Sequence, residues 1–255
     1  MDLFCRHVGH GEPLIILHGL FGSSDNWMTI AHKLGEKRNV FFPDLRNHGL
    51  SFHSDIWTYE AMVEDIWNLI EKYHINNPII LGHSMGGKIA MQFAVAFPNI
   101  VKKLIVVDIA PKFYTVHHQQ ILKGLNALDL NSISTRFEAN DKLSKHINDA
   151  AVRQFLLKNL VRKESGGFDW KINLSVMTEQ IENVGHTLSP GKLKFNEPTL
   201  FIKGLNSDYI TPEEYRLIAE IYPNNFIATI KDAGHWVHVE NTPQFLKVLE
   251  NFIEL

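Results

Sequence analysis

The chain has 255 residues, of which 45% are hydrophobic and 11% aromatic, enough to bury one large α/β core with an insertion. A formal net charge of −3 offers no basic field for nucleic acid, and the single cysteine, Cys5, excludes an internal disulfide and any cysteine-rich metal site. The N-terminal MDLFCRHVGHGEP lacks the basic and apolar regions of a signal peptide, no apolar run reaches membrane-spanning length, and neither end carries a lipidation motif, so a cytoplasmic protein without a membrane partner is expected.

In chain order, PLIIL (13–17) has the length and composition of a buried strand and runs into LHGLFGSSDNW (17–27). A helix is predicted over 25–37, a strand over NVFFPD (39–44) and a second helix over 58–74. That helix carries Met62, Ile66, Leu69 and Ile70 on one face with Glu60, Glu64 and Asp65 between them, the pattern of a surface helix against a sheet. Then come a strand, PIILG (78–82), a helix over 85–97 and a strand, KKLIVVD (102–108). After Asp108 the alternation stops. The segment 112–195 reads as helices at 117–130, 133–147 and 149–163, followed by Gly166-Gly167 and an extended FDWKINL (168–174). Strand PTLFIK (198–203), a helix over 211–222, strand NFIATI (225–230) and a helix over 242–255 complete the chain. The last two helices begin Thr-Pro, a capping hydroxyl ahead of a proline at the first helical position.

Continuous apolar strands alternating with amphipathic helices indicate a doubly wound, mostly parallel central sheet flanked by helices. The expected organisation is a core of residues 1–111 and 196–255, with a helical cap (112–195) inserted after the strand ending at Asp108. No repeat or low-complexity segment is present.

The chemistry-bearing motif is Gly82-His83-Ser84-Met85-Gly86, set between a strand and a helix. A serine there sits on a sharp turn, its hydroxyl clear of the sheet and the following helix N-terminus aimed at the site. Acyl transfer also needs two N–H groups on the oxyanion. Met85, just after the serine, supplies one; Leu20, in His18-Gly19-Leu20-Phe21-Gly22, supplies the other, with His18 orienting that loop. The base should come last, and His235 follows Gly234 ahead of the C-terminal helix, with His238 as a loop-packing neighbour. Two carboxylates compete for the acid: Asp108 at the end of KKLIVVD and Asp208 after the next strand. Both satisfy the order Ser…Asp…His. The loop Asp44-Leu45-Arg46-Asn47-His48-Gly49 reads as a brace, not as the seat of a catalytic His48. Trp170 and Trp236 are the tryptophans expected near a substrate, and TVHHQQ (115–120) puts histidines near the start of the insertion.

HGLFGSSDNW (18–27), PDLRNHGLS (43–51), GHSMGGK (82–88), VDIAP (107–111), QFLLKNL (154–160) and AGHWVHVE (233–240) together resemble the YbfF-type bacterial esterases and related abhydrolases of the α/β-hydrolase superfamily. The resemblance implies Ser84 as nucleophile, His235 as base and Asp108 as acid, with Ser207 near the site; Asp208 beside Ser207 keeps the second candidate open. It implies a cofactor-free, metal-free hydrolase of small-molecule carboxylic esters, of small or medium acyl chain, acting through an acyl-enzyme. Thioester or C–C hydrolysis and perhydrolysis would use the same residues. A binding protein on this fold would show a degraded set. Oligomeric state is not indicated.

Overall fold

In the computed structural model of the chain, residues 1–116, 118–186 and 194–254 are described, and the predicted strands lie in one sheet. They are β2 (Glu12–Leu17), β3 (Arg38–Pro43), β4 (Ile79–His83), β5 (Lys103–Val107), β8 (Thr199–Gly204) and β9 (Asn225–Ile230). A seventh, β1 (Cys5–Val8), was not predicted. The order is β1-β3-β2-β4-β5-β8-β9, parallel throughout except that β1 runs antiparallel to β3, Cys5 opposite Pro43 and Val8 opposite Val40.

The central strands are apolar without interruption because both faces of the sheet are covered. Successive side chains divide between two layers. Leu14 and Ile16 of β2 face Ile30 and Leu34 of α1 (Met28–Gly35) and Phe245, Leu249 and Phe252 of α11 (Thr242–Glu254). Ile15 and Leu17 face the opposite layer, with Met62, Ile66 and Leu69 of α2 (Tyr59–Tyr73) and Ile89 and Phe93 of α3 (Met85–Ala96). Each such side chain contributes roughly 1.5–3 kcal/mol on burial. Phe93, fully buried, would cost about 3–5 kcal/mol as alanine.

Local chemistry sets the helix ends. Thr58 caps α2 by accepting from the Ala61 N–H, and His74 closes it in the left-handed conformation at φ 51°. The predicted 25–37 helix is a 3₁₀ turn (Ser24–Trp27) followed by α1, and the 211–222 helix is a Thr211-capped 3₁₀ turn (Pro212–Glu214) followed by α9 (Tyr215–Ile221).

Between β5 and β8 the chain forms α4 (Gln119–Asn126), α5 (Arg136–Ser144), α6 (Ala150–Leu157), α7 (Leu174–Gln180) and α8 (Glu182–Gly185). The end of the predicted 149–163 helix is instead strand β6 (Leu160–Arg162), which turns through Gly166-Gly167 at positive φ to pair with β7 (Phe168–Trp170). α7, α8 and a short α10 (Val237–Glu240) were not predicted. His117, residues 187–193 of the expected cap and Leu255 of the last predicted helix lie outside the described residues. Among the described residues no helix is long and apolar enough to cross a membrane.

Candidate active site

Ser84 stands between β4 and α3 at φ 53°, ψ −119°, a conformation that L-residues rarely adopt. The neighbouring glycines make this turn possible. A Cβ on Gly82 would lie 2.1 Å from the Gly86 carbonyl oxygen, and one on Gly86 would lie 2.4 Å from the Leu17 carbonyl oxygen. The Ser84 N–H donates to the Val107 carbonyl at 3.0 Å, fastening the turn to β5. Ser84 itself is half-buried and faces a cavity.

Asp108 follows β5 at φ 53° with no exposed surface, and its N–H is held by the Ile202 carbonyl at 2.8 Å. Its carboxylate has three donors around it. Oδ1 accepts from the Gly204 N–H at 3.0 Å; Oδ2 accepts from the Ser207 hydroxyl at 2.5 Å and from His235 Nδ1 at 2.8 Å. Asp208, one residue beyond Ser207, is exposed, and among the described residues it makes no hydrogen bond or ion pair with His235. Of the two candidate acids, only Asp108 meets the imidazole. With Nδ1–H donating to Asp108, His235 Nε2 carries the lone pair, and among the described residues it has no hydrogen-bond partner. The Tyr209 ring stacks on the imidazole at 4.0 Å, and the His83 Nε2–H donates to the His235 carbonyl at 2.8 Å.

The loop after β2 supplies backbone donors. The Phe21 N–H donates to His48 Nε2 at 3.2 Å, whereas the Leu20 and Met85 N–H groups have no acceptor among the described residues. His48 Nδ1–H in turn donates to the Arg46 carbonyl, and His18 is held the same way, Nδ1–H to the Gly19 carbonyl with Nε2 accepting from the Leu45 N–H. Burial pushes both imidazoles below their ordinary range, and the His18–His48 proximity lowers His48 further. Two neutral histidines of fixed tautomer therefore brace the loop. Asp44 joins the brace by accepting from the Ser24 and Leu50 N–H groups, and Arg46 forms a buried two-point ion pair with Asp65.

His83 and His238 are also buried beside His235. Burial, then the neighbouring His235 and His238, hold His83 well below its usual value. Burial and then His235 push His238 down to about 3; it stacks on Trp27 at 4.2 Å, and its Nδ1 has no hydrogen-bond partner.

The cavity at Ser84 measures about 580 Å³ and is bounded by the Leu20 loop, by His235 and Trp236, and by Ile121, Val152 and Phe155 from the segment between β5 and β8. Trp236 lines it as expected. Trp170 does not: it pairs with Leu160 in the β6–β7 hairpin. From the TVHHQQ stretch, His118 lines the cavity.

Three further side chains tie the segments around the cavity together; Lys88 and Asn159 lie within GHSMGGK and QFLLKNL, but nothing in those segments singled them out. The Asn159 amide donates to the Phe21 carbonyl at 2.8 Å across 138 residues of chain. Lys88, 1% exposed, donates to the carbonyls of Gly185 at 3.1 Å and His186 at 2.5 Å, and burial pushes its ammonium down to about 8. The Tyr114 hydroxyl donates to the Tyr209 carbonyl at 2.5 Å. Among the described residues no group of His, Cys, Asp and Glu could hold a metal ion.

Ser84 thus stands on a strand–turn–helix elbow at the carboxyl end of a parallel sheet, and lines one cavity with an imidazole held by a buried carboxylate. The chain belongs to the α/β-hydrolase family: the family model described as alpha/beta hydrolase fold matches residues 12–242. It is 40% identical over 260 residues to the sn-1-specific diacylglycerol lipase ABHD11 of Xenopus laevis, covering 96% of this chain and 80% of that protein. It is 35% identical over 248 residues to the esterase YbfF of Escherichia coli K12, covering 96% and 94%. Among solved structures, a marine microorganism esterase superposes with a TM-score of 0.96 at 43% identity, covering 99% of both chains. The chain is thus an ester-hydrolysing enzyme of the esterase/lipase type, as its sequence motifs led us to expect.

Proposed function

We propose that the chain hydrolyses small-molecule carboxylic esters in two steps through Ser84, His235 and Asp108. His235 Nε2 removes the Ser84 hydroxyl proton as Oγ attacks the ester carbonyl. The Leu20 and Met85 N–H groups stabilise the oxyanion at the start of α3, whose N-terminal dipole adds to the same field. The imidazolium, held by Asp108, then gives its proton to the departing alcohol. Water enters, loses a proton to the same Nε2, and displaces the acid from Ser84. Every proton is accounted for by one imidazole, so the chemistry calls on no metal or organic cofactor.

The observation that carries this reading is the 2.8 Å contact between His235 Nδ1 and the buried Asp108 carboxylate. It assigns the lone pair to Nε2 in a cavity that Ser84 shares. Residues 112–195 act as a cap in this reading, because Ile121, Val152 and Phe155 close one side of that cavity. Ser207 is a positioning residue that donates to the same carboxylate oxygen as His235.

The test is steady-state hydrolysis of 4-nitrophenyl acetate. Ser84→Ala should lose about 10,000-fold or more in kcat. Retention of activity within tenfold would remove Ser84 from the reaction.

A further inference from the structure

A second, much smaller pocket opens at Ser84. It holds about 30 Å³ and is lined by Leu20, Met85, Ile109, Tyr114 and Val116 among others. It shares Leu20, Ser84, His118 and Tyr209 with the 580 Å³ cavity, so the two meet at the serine. They differ in one decisive respect: His235, Trp236 and Val239 line the large cavity and not the small one.

We infer that the small pocket receives the acyl group and the large cavity the alcohol, so that the substrates are esters of short acids, about two to four carbons, with bulky apolar alcohols. This rests on the reading of Ser84 and His235 above. The tetrahedral carbon on Ser84 Oγ has three other substituents. Its oxyanion points at the Leu20 and Met85 N–H groups. The leaving oxygen must take a proton from His235, so the alcohol lies on the side that His235 lines. The acyl carbon is left with the remaining direction, into the small pocket.

Size then sets the class. A void of 30 Å³ has room for roughly two or three water-sized groups. Its walls are cross-tied and cannot yield cheaply. Lys88 grips the carbonyls of Gly185 and His186 from below; the Gly185 carbonyl also accepts from the Tyr114 N–H at 2.9 Å; and the Tyr114 hydroxyl accepts from the Ala110 N–H at 2.9 Å while donating to the Tyr209 carbonyl. On the other side, Phe155 packs on Trp236 at 5.4 Å, with Ile121 and Val152 beside them, an apolar lining suited to a large hydrocarbon alcohol.

The experiment uses two substrate series on the full chain. In the first, 4-nitrophenyl acetate, butyrate, hexanoate and octanoate vary the acid; in the second, ethyl and hexyl acetate vary the alcohol. The wild type should lose at least about tenfold in kcat/KM from butyrate to octanoate, and should gain from ethyl to hexyl acetate. Val116→Ala should raise the hexanoate-to-acetate ratio about tenfold, and Val152→Trp should lower the hexyl-to-ethyl acetate ratio by a similar factor. Octanoate turned over as well as butyrate, a long-chain diacylglycerol cleaved as fast as an acetate, or Val152→Trp acting on long acids instead of long alcohols would overturn the assignment while leaving Ser84 as nucleophile. The wild-type series decides the matter even where a variant does not fold. No turnover of any ester would remove the underlying reading with it.

Discussion

Replacing Asp108 by asparagine tests the proposed acid and has a magnitude that its hydrogen bonds define. Asp108 accepts from three donors: Gly204 N–H on Oδ1, and Ser207 hydroxyl and His235 Nδ1–H on Oδ2. An asparagine has one acceptor oxygen and one amino group, so either rotamer is wrong. With its amino group toward His235, the imidazole must take the other tautomer, and Nε2 carries the proton it should remove. With the amino group toward Gly204, two donors confront each other in a buried site, which costs about 1–3 kcal/mol of stability. Loss of the tautomer and of the charge that stabilises the imidazolium should lower kcat/KM on 4-nitrophenyl acetate about 10,000-fold, or about 5.4 kcal/mol of transition-state stabilisation. Asp208→Asn, at an exposed position with no hydrogen bond to the imidazole among the described residues, should change it less than about twofold. A larger loss for Asp208→Asn than for Asp108→Asn would refute the assignment.

Three further outcomes follow from neighbouring contacts. His238 is held down at about 3 by burial, so the folded chain stays unprotonated while the unfolded chain takes up a proton below about 6.5. Its contribution to stability is therefore complete above pH 6.5 and is lost as the pH falls toward 3. His238→Phe keeps the Trp27 stack and removes the unpartnered Nδ1. Denaturant titrations between pH 7 and 4 should show its pH dependence flattened by one proton, about 1.4 kcal/mol per pH unit; an unchanged slope would contradict this. Asn159→Ala frees the Phe21 carbonyl and loosens the Leu20 loop, and kcat should fall about tenfold with KM little changed, whereas a purely structural role would leave the kcat of the folded fraction intact. Asp65→Asn strands the buried Arg46 guanidinium and should cost about 3–5 kcal/mol in the same titrations, with a loss under 1 kcal/mol counting against that ion pair.

The core strands were legible because parallel strands covered on both faces leave continuous apolar runs such as Leu14–Leu17 and Leu104–Val107. β1 escaped notice because CRHV is a partly exposed edge strand with neither an apolar run nor clean alternation. The Leu160–Arg162 strand was hidden for the opposite reason: it continues the apolar run of α6, and only the glycine pair beyond it marks the hairpin. Ser84 stood out through Gly82 and Gly86, which its turn requires, and His235 through its place after the last strand, although a Cβ on the preceding Gly234 would meet nothing closer than 3.4 Å. The candidate acids could not be told apart, because β5 and β8 are adjacent parallel strands and Asp108 and Asp208 follow the same ends of them. Which carboxylate turns inward depends on the positive φ at Asp108 and on Ser207 pointing at it, and neither shows in spacing. Asn159 and Lys88 lie within QFLLKNL and GHSMGGK, but their partners are 138 and 97 residues away in the chain, and no local pattern names them.

The central claim is that Ser84 Oγ forms a covalent bond with an acyl-type electrophile while His235 supplies the base. A fluorophosphonate probe followed by intact-mass and peptide mass spectrometry measures that bond directly. The expected result is one adduct per chain on the peptide containing Ser84, abolished in Ser84→Ala and slowed by several orders of magnitude in His235→Ala. An adduct on another residue, or unchanged labelling of Ser84→Ala, would contradict the account.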